Sequence, residues 1–399
     1  MKTKLNITEL VAELRSQHTE KADFILPTSC LSMREGKLIL TGEDELTQTL
    51  KQAGIEYKNE PIVLQCLDTV HGHICDKLGI PRNYYNRMTD DHTVLRDDNV
   101  NHWLRNLSGN VMLRTFIDRN TNTGYARALL SDRYSIMDNF DVMLACLGGI
   151  REMEESQKNL PENDRINVEL ETGDITEKRL YLRFVAPKVE IQAPEILKSY
   201  RNPNTDNRNN GIISGFVVTN SEVGHGKFSI SPRAVVLACR NGMIIKDDAF
   251  EKTHLGIRQD EGAIVWSEET KSKNIELVSL QVKDALKTFT SPVYLGQVVA
   301  RMQEANKPIQ NVSDTIRNVS KELLFSEDKE KDILNYFIKG GDMTAIGVAQ
   351  AVTFFAGNNA NPDEQYELEK MSVSIVENID RYDRPVTTKR TTKELTTLN

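Results

Sequence analysis

The spacing of hydrophobic residues changes twice along the chain and divides it into three parts. In the first part, residues 1–105, most hydrophobic residues recur every three or four positions, which is typical of amphipathic helices. Gly79, followed by Pro81, marks the end of one of these helices. The pattern predicts a helix-rich N-terminal region with helices over 4–18, 43–53, 62–78 and a short segment after Pro81.

The second part, residues 106–270, alternates apolar and polar residues instead. The segments 111–117 and 125–130 flank a polar, glycine-containing turn and predict a β-hairpin. A helix is predicted over 138–153, and further strands are predicted over 165–171, 179–187, 212–219 and 227–239. Strands joined by short polar turns form antiparallel sheets. We therefore expect an α+β fold, with a largely antiparallel β-sheet in the middle of the chain that is covered by helices.

Helical spacing returns in the third part, residues 271–380. Helices are predicted over 273–289, 293–306, 312–325, 328–339 and 345–357. The final residues, 381–399, are rich in threonine and basic, and they hold few large apolar side chains. They predict a disordered basic tail.

Composition limits the classes of protein to which the chain can belong. The 399 residues are 39% hydrophobic and carry a net charge of −8. Uninterrupted apolar stretches do not approach the roughly 18 residues of a membrane-spanning helix, and the N-terminus lacks the apolar core of a secretory signal. Five cysteines at irregular spacing suit thiols in a reducing compartment. We expect a cytoplasmic protein without a membrane partner.

The two central β segments reverse the sign of the overall charge. Residues 105–133 hold five basic and two acidic side chains, and residues 201–246 hold six basic and two acidic ones. If the segments are neighbours, their cations would form a stripe that follows a phosphodiester backbone. The predicted nucleic-acid-binding residues are Arg114, Arg119, Arg127, Arg133, Lys227, Arg233 and Arg240.

The aromatic residues predicted to stack on bases near these charges are Tyr125, Tyr134 and Phe228. Aromatic rings that reach the surface can stack on unpaired bases. The alternative is that the rings belong to the core and the charges to a solvated face of the sheet, because charged runs are usually solvated.

The turn between the last two central strands contains Gly224, His225 and Gly226. Two glycines permit left-handed backbone angles, so the turn is a candidate anion-binding nest, although the same residues also suit an ordinary hairpin turn. A phosphate loop is excluded, because Ser221 and Phe228 stand where that motif needs a glycine and a hydroxyl.

Metal binding and catalysis receive less support from the sequence. Cys66, His71, His73 and Cys75 fall close together, but a helix would turn His73 about 160° away from Cys75, so this segment alone does not supply convergent ligands. His225 and Cys239 are further candidates only if the fold brings them near. We predict no catalytic residues, no metal and no cofactor, and we expect binding rather than catalysis.

Five segments of the chain form a recognisable set: LGIPRNYYNRM at 78–88, ALLSDRYSIMDN at 128–139, SGFVVTNSEVGHGKFSISP at 214–232, CRNGM at 239–243 and IGVAQAVTFFAG at 346–357. They resemble the phage/plasmid-like protein family, whose core is catalogued as a domain of unknown function. The resemblance extends over most of the chain and implies a phage- or plasmid-encoded protein in a bacterial host cell. It implies no particular activity.

The order of hairpin, helix and basic antiparallel strands is also similar in architecture to Rad52-like single-strand annealing proteins, an analogy of fold only. The combined expectation is a homo-oligomeric protein that binds and anneals single-stranded DNA in recombination or replication. Two alternatives stay open: a structural or self-assembling phage or plasmid protein that binds no nucleic acid, and a metal-dependent enzyme that acts on nucleic acid.

Overall fold

A computed structural model describes residues 1–42, 44–52, 55, 61–118, 121, 123–252 and 268–385 of the chain. The predicted α+β class, with a largely antiparallel sheet in the middle of the chain, is confirmed. The strands are β1 (Lys2–Leu5), β2 (Lys21–Pro27), β3 (Leu31–Arg34), β4 (Lys37–Leu40), β5 (Ile62–Cys66), β6 (Asn110–Asp118), β7 (Thr123–Ser131), β8 (Glu169–Ile175), β9 (Leu180–Gln192), β10 (Gly211–Asn220), β11 (Phe228–Val236), β12 (Asn241–Ile244) and β13 (Phe250–Lys252).

The helices are interspersed with these strands in the first two thirds of the chain and follow one another in the last third. They are α1 (Ile7–Glu20), α2 (Asp44–Gln52), α3 (Asp68–Leu78), α4 (Arg82–Asp91), α5 (Thr93–Asn106), α6 (Asn139–Ser156), α7 (Pro194–Leu197), α8 (Glu268–Phe289), α9 (Pro292–Ala305), α10 (Val312–Glu322), α11 (Glu327–Gly340), α12 (Ala345–Asn359), α13 (Pro362–Glu377) and α14 (Ile379–Tyr382).

The chain forms two compact units that are interleaved in sequence. The first unit consists of Met1–Phe184, Val217–Ile230 and Ala249–Lys287, and the second of Val185–Phe216, Ser231–Asp248 and Thr288–Asn399. Strands from the N-terminal third of the chain pair with strands from the middle. The division into the regions 1–105, 106–270 and 271–380 stays a prediction.

A six-stranded sheet organises the first unit, with the strand order β2-β6-β7-β5-β4-β3. Adjacent strands of this sheet are antiparallel, except that β5 and β7 are parallel to each other. One face of the sheet packs on helices α3, α4 and α5. Leu113 and Leu64 of the sheet share a buried core with Ile74, Tyr85 and Val100 of those helices.

A second sheet has the order β1-β8-β9-β10-β11-β12, with β13 also paired to β11. Its β10 extends one residue beyond each end of the predicted strand 212–219, and β11 lies within the predicted strand 227–239. Every residue of both strands is buried. Continuous burial explains why apolar residues follow one another in this stretch rather than alternate.

The prediction of one helix over 62–78 is wrong. The first residues form β5, whose Ile62 and Leu64 are fully buried, and α3 begins only at Asp68. A short apolar run does not by itself distinguish a buried strand from a helix. The predicted helix end is confirmed, since Gly79 adopts the left-handed conformation with φ 65° and caps α3.

The second unit contains the helices α9 to α14. In its helix α12, all residues from Ala345 to Ala356 are buried. The helix α13, which the pattern did not predict, begins with Pro362 after the capping residue Asn361. The predicted tail 381–399 begins inside α14, where Tyr382 is buried, and residues 386–399 lie outside the described part. Within that part, we find no helix with an apolar stretch that is long enough to cross a membrane.

Candidate functional site

The face of the six-stranded sheet opposite α3–α5 carries a row of side chains from four adjacent strands. In the strand register, Lys21 of β2 lies opposite Phe116 of β6, Phe116 lies opposite Tyr125 of β7, and Tyr125 lies opposite Gln65 of β5. Residues that lie directly opposite each other point to the same face of a sheet. The two aromatic residues therefore lie side by side on the two central strands of this row.

A β-bulge in β7 adds a cation to the same face. Thr115 pairs with Ala126 and Arg114 pairs with Ala128, so Arg127 is the extra residue between two registers. A bulge leaves the inserted residue unpaired and shifts the alternation of the side chains that follow it. The guanidinium carbon of Arg127 lies 4.0 Å from the ring centroid of Phe116, which is a cation–π geometry.

The Arg127 end of this row is a buried group of charges, which we call the Glu222 cluster. Its members are Lys21, Asp23, Arg114, Arg127, Asp138 and Glu222. Three positive and three negative side chains therefore balance one another. The Glu222 carboxylate accepts hydrogen bonds from Lys21 and Arg127, and from the backbone N–H of Asn139 at 2.6 Å.

Arg114 lies at the centre of the cluster and is fully buried. Its guanidinium donates to Asp23 at 2.7 Å, to Asp138 at 2.6 Å and to the backbone carbonyl of Glu222 at 2.8 Å. Burial would lower the pKa of Arg114, but Asp23, Asp138 and Glu222 raise it above its ordinary value. Arg114 therefore stays positively charged although it is buried.

Glu222 shows the same balance from the acidic side. Burial alone would raise the pKa of its carboxyl group, and the opposite charges of Arg127, Lys21 and Arg114 outweigh that effect and hold the pKa well below its usual range. Glu222 is thus ionised and fastens the turn that follows β10 to the six-stranded sheet.

The Tyr125 end of the row is open, and we call it the aromatic platform: Phe116, Tyr125, Gln65, Val63 and Lys37. Tyr125 is 52% exposed, Gln65 is exposed, and the other three members are partly buried. A cavity of about 810 Å³ lies over these residues. Its volume falls within the roughly 300–1,000 Å³ of ligand pockets.

Gly124 allows the two central strands to approach closely beside the platform. A Cβ atom at this position would lie 2.0 Å from the backbone oxygen of Phe116. No side chain fits without moving the strands apart. The sequence pattern placed Gly124 in a turn, whereas it lies within β7, opposite Ile117 of β6.

A second cavity, of about 270 Å³, adjoins the platform, because Phe116 and Tyr125 line both cavities. Its other lining residues include Lys2, Arg127, Lys178, Arg179 and Glu222. Positive side chains are thus more frequent around this cavity than over the platform, where Lys37 is accompanied by Glu20 and Asp118.

The predicted basic stripe does not form from the arginines that were expected to lead it. Arg114 and Arg127 are buried in the Glu222 cluster. In the second unit, Arg233 is buried and pairs with Glu369 at 3.2 Å. These guanidinium groups are buried and face carboxylates, so they do not form the exposed stripe that a phosphodiester backbone would follow.

The remaining predicted cations are dispersed. Lys227 is exposed and pairs with Glu251 at 2.8 Å. Arg133 is exposed in the turn after β7, and Arg240 is exposed with a φ of 56° in the turn before β12. Arg119 lies outside the described residues. A contact of these residues with nucleic acid stays a prediction.

Of the three predicted stacking residues, Tyr125 alone is exposed. Phe228 is fully buried, with its ring centroid 6.4 Å from that of Phe250. Tyr134 is partly buried, and its hydroxyl donates to the carbonyl of Ser221 at 2.7 Å. Burial raises the pKa of Tyr134 to about 12. The interpretation of the aromatics as core residues therefore holds for Phe228.

The glycine turn has the backbone angles expected of it, with φ 78° at Gly224 and 154° at Gly226. Its polar groups are largely engaged within the protein. The backbone N–H of His225 donates to Ser221 Oγ at 2.9 Å, and Arg179 Nε donates to the carbonyl of His225 at 2.6 Å. Because the amide of His225 is used internally, the turn is organised as a structural element rather than as an open nest.

The fold brings His225 to the segment that held the candidate metal ligands. The rings of His73 and His225 stack with their centroids 5.3 Å apart, and His73 Nδ1 accepts a hydrogen bond from the N–H of Leu129 at 3.2 Å. Burial and the neighbouring His225 lower the pKa of His73 to about 4. Among the described residues, no group of three or more metal-binding side chains converges.

Cys239 lies in the second unit, where burial raises its pKa to about 11. Its Sγ accepts a hydrogen bond from the Tyr200 hydroxyl at 3.3 Å. A thiol with a raised pKa is a poor nucleophile, because the thiolate is the reactive form.

Sequence reasoning missed Phe116, Gln65 and Lys37 as members of the site. One signal was available for Phe116. Along β6, the residues Leu113, Thr115 and Ile117 face the core, so the alternation assigns Phe116 to the same side as Arg114. Nothing in the local pattern pairs β5 with β7, so Gln65 and Lys37 had no such signal.

Comparisons of this chain with models of protein families, with curated proteins and with solved structures find no match.

Proposed function

We propose that the protein binds single-stranded DNA on the aromatic platform, with bases stacked on Tyr125 and Phe116. The observation that supports this most is the half-exposed Tyr125 ring beside Phe116 on the central strands of a sheet, under a cavity of about 810 Å³. Sheets that carry aromatic side chains on neighbouring strands are a common surface for unpaired bases.

The chemistry of the platform fits bases better than it fits a duplex backbone. Each base has an aromatic face, so stacking on Tyr125 requires no particular sequence. Gln65 is exposed beside Tyr125 and offers both a donor and an acceptor to the edge of a base. A paired base in a duplex hides its faces and its Watson–Crick edge, so the platform favours single strands.

The charges near the platform are mixed, and this limits the role of phosphate contacts. Lys37 is accompanied by Glu20 and Asp118 in the lining of the cavity. Binding that depends on few cations has a shallow salt dependence, because each phosphate neutralised on a single strand contributes a slope of about −0.7. We therefore expect a plot of log K against log salt to have a slope of about −1 to −2.

The wider role proposed for the protein is strand annealing in phage or plasmid recombination or replication, carried out by a homo-oligomer. The family resemblance and the similarity to annealing proteins support this role, and the platform supplies a surface that would hold a strand with its bases accessible. A strand-pairing assay tests it once binding is established.

Fluorescence anisotropy with a labelled oligothymidine of about 15 nucleotides tests the binding proposal. The single strand should bind more tightly than a duplex of the same length, and an RNA strand of the same sequence tests the choice of DNA. The substitution Tyr125→Ala should weaken binding about 5- to 150-fold, as the loss of one stacked base contributes about 1–3 kcal/mol. Tyr125→Phe, which keeps the ring, should bind like the unaltered protein.

Trp103 provides a matched control, because it is an aromatic residue of the same unit that is 47% exposed and lines neither cavity. Trp103→Ala should leave the affinity unchanged. Absence of binding at low salt, or equal binding by Tyr125→Ala and the unaltered protein, would overturn the proposal. The first of these results would favour the self-assembling alternative, which light scattering of the protein alone measures.

A further inference from the structure

The second cavity lies where a strand leaving the platform would continue. Its lining shares Phe116 and Tyr125 with the platform, so the two cavities meet at these rings. A nucleotide whose base stacks on Tyr125 has its sugar and phosphate at the edge of the ring. The volume of about 270 Å³ is close to the lower limit of ligand pockets and suits a group of that size.

Most carboxylates around the second cavity already have partners. Glu13 pairs with Lys2 at 3.6 Å and accepts a hydrogen bond from Gln17 at 2.9 Å. Glu222 is held by Lys21 and Arg127 in the Glu222 cluster. The third carboxylate of the lining, Glu177, is exposed beside Lys178, so the four basic side chains of the lining outnumber the three acidic ones by one.

Two cations of the lining retain capacity for an anion. Lys178 is exposed, and its ammonium group has no carboxylate partner in the part of the chain that the structure describes. Arg127 Nη1 is buried and makes no hydrogen bond to any described residue. A buried donor of this kind usually has a partner in the functional state.

Arg127 lies on the same face of β7 as Tyr125 and lines the second cavity. The two residues are two positions apart, so the alternation of the strand directs both side chains to one face, and the bulge shifts the register only for the residues that follow Arg127. The stacking of its guanidinium on Phe116 at 4.0 Å fixes the cation next to the platform. Arginine in such a position presents several donors to a phosphate.

We infer that the second cavity binds the phosphate group of the nucleotide whose base stacks on Tyr125, with Lys178 and Arg127 as its cationic ligands. This inference rests on the proposed function. The ligand class is a nucleoside monophosphate unit, either within a strand, at the end of a strand or free in solution.

Titrations of the full-length protein with thymidine monophosphate and with thymidine, followed by ligand NMR, test this site without requiring DNA binding. Thymidine monophosphate should bind about tenfold more tightly than thymidine, because charge-assisted hydrogen bonds to a phosphate are strong. A comparison of oligothymidine with and without a 5′-phosphate then distinguishes a terminal phosphate from an internal one.

Two substitutions separate the phosphate site from the platform. Lys178→Ala should remove most of the tenfold preference and leave the affinity for thymidine unchanged. Arg127→Lys keeps a cation for Glu222 while it removes the guanidinium donors, and it should reduce the preference in the same way. Lys51, exposed on α2 and absent from both cavity linings, serves as the control, so Lys51→Ala should change neither affinity.

The outcomes distinguish the two proposals. Equal affinities for thymidine monophosphate and thymidine, or no binding of either, would overturn the phosphate site even if single-stranded DNA binds at Tyr125. A phosphate-dependent affinity that Lys178→Ala lowers would support the site. If that result came with no binding of DNA, the proposed function would fail and the cavity would remain a site for free nucleotides.

Discussion

The two ends of one row on the six-stranded sheet differ in their access to solvent. Arg114 and Phe116 are two residues apart on β6, yet Arg114 is fully buried while Tyr125, opposite Phe116, is 52% exposed. The Glu222 cluster holds most of the charge of this face, and the aromatic platform holds its accessible surface. Charge in the sequence is therefore a poor guide to the part of the face that meets a ligand.

The comparison assigns different tasks to the two ends. At the Glu222 cluster, the turn after β10, the start of α6 and the strands β2, β6 and β7 are all joined by hydrogen bonds to Glu222 or Arg114. This is a structural task. The aromatic platform contributes little to such hydrogen bonds between elements, and its side chains remain available to contact other molecules.

The largest expected effect is the loss of stability on removing Glu222. Glu222→Ala leaves Lys21 and Arg127 buried without their shared carboxylate, and breaking a buried pair in this way costs about 3–5 kcal/mol. Urea unfolding, with the midpoint and slope measured together, gives the change in the free energy of unfolding.

An exposed ion pair of the same unit provides the control. Glu155 is 46% exposed and lies 3.3 Å from Arg151. Glu155→Ala should change the free energy of unfolding by less than about 1 kcal/mol, as exposed pairs contribute little. If the two substitutions lowered the free energy of unfolding by similar amounts, the Glu222 cluster would not stabilise the fold more than an exposed ion pair does.

Several local features of the fold were accessible from the sequence. The hairpin predicted over 111–117 and 125–130 is present as β6 and β7, with slightly longer strands. The left-handed cap at Gly79 was also predicted correctly. These features depend on alternation and turn residues within a short window, which is the information that a pattern contains.

Features that depend on distant pairing were not accessible. The strand β5 was read as part of a helix, because its partners β4 and β7 lie far apart in the chain. The same limit applies to the site. Glu222 was counted as one acid in a basic segment, and nothing local showed that it would neutralise Arg127, which is 95 residues away.

The predicted stripe failed at Arg114, Arg127 and Arg233 for a related reason. Net charge over a window adds all charges equally, whether they face water or a carboxylate. The bulge at Arg127 is likewise a property of the register between β6 and β7. Tyr125 was identified correctly as an exposed aromatic, but its partner Phe116 required knowledge of which strands are neighbours.

The dependence of stability on pH tests the contact of His73 with His225, which lies in the turn that carries Glu222. The pKa of His73 is about 4, below its ordinary value of 6.5, so between these values the unfolded chain binds the proton that the folded protein excludes. Stability should therefore fall as the pH is lowered from about 6.5 to 4. Burial also lowers the pKa of His71, which adds an effect of the same sign.

The measurement is the urea midpoint at several pH values for the unaltered protein and for His73→Gln. Between pH 6.5 and 4, the urea midpoint of the His73→Gln protein should decline less than that of the unaltered protein. The contribution of Glu222 has a different window, because its lowered pKa means that its stabilisation is lost only as the pH falls below the ordinary value of 4.5. An unchanged midpoint down to pH 4 would contradict the burial of a neutral His73.

The smallest expected effect is on DNA binding, and it distinguishes a lysine at the platform from a lysine of the predicted stripe. Lys37 lines the cavity over the aromatic platform, whereas Lys227, a residue of the predicted stripe, pairs with Glu251 at 2.8 Å. Lys37→Ala should weaken binding of oligothymidine about threefold to tenfold at low salt and make the slope of log K against log salt less negative by about 0.7. Lys227→Ala should leave both quantities unchanged within error. If Lys227→Ala had the larger effect in anisotropy measurements over a range of salt, the strand would follow the basic segment 201–246 instead, and the platform would not be the surface that binds it.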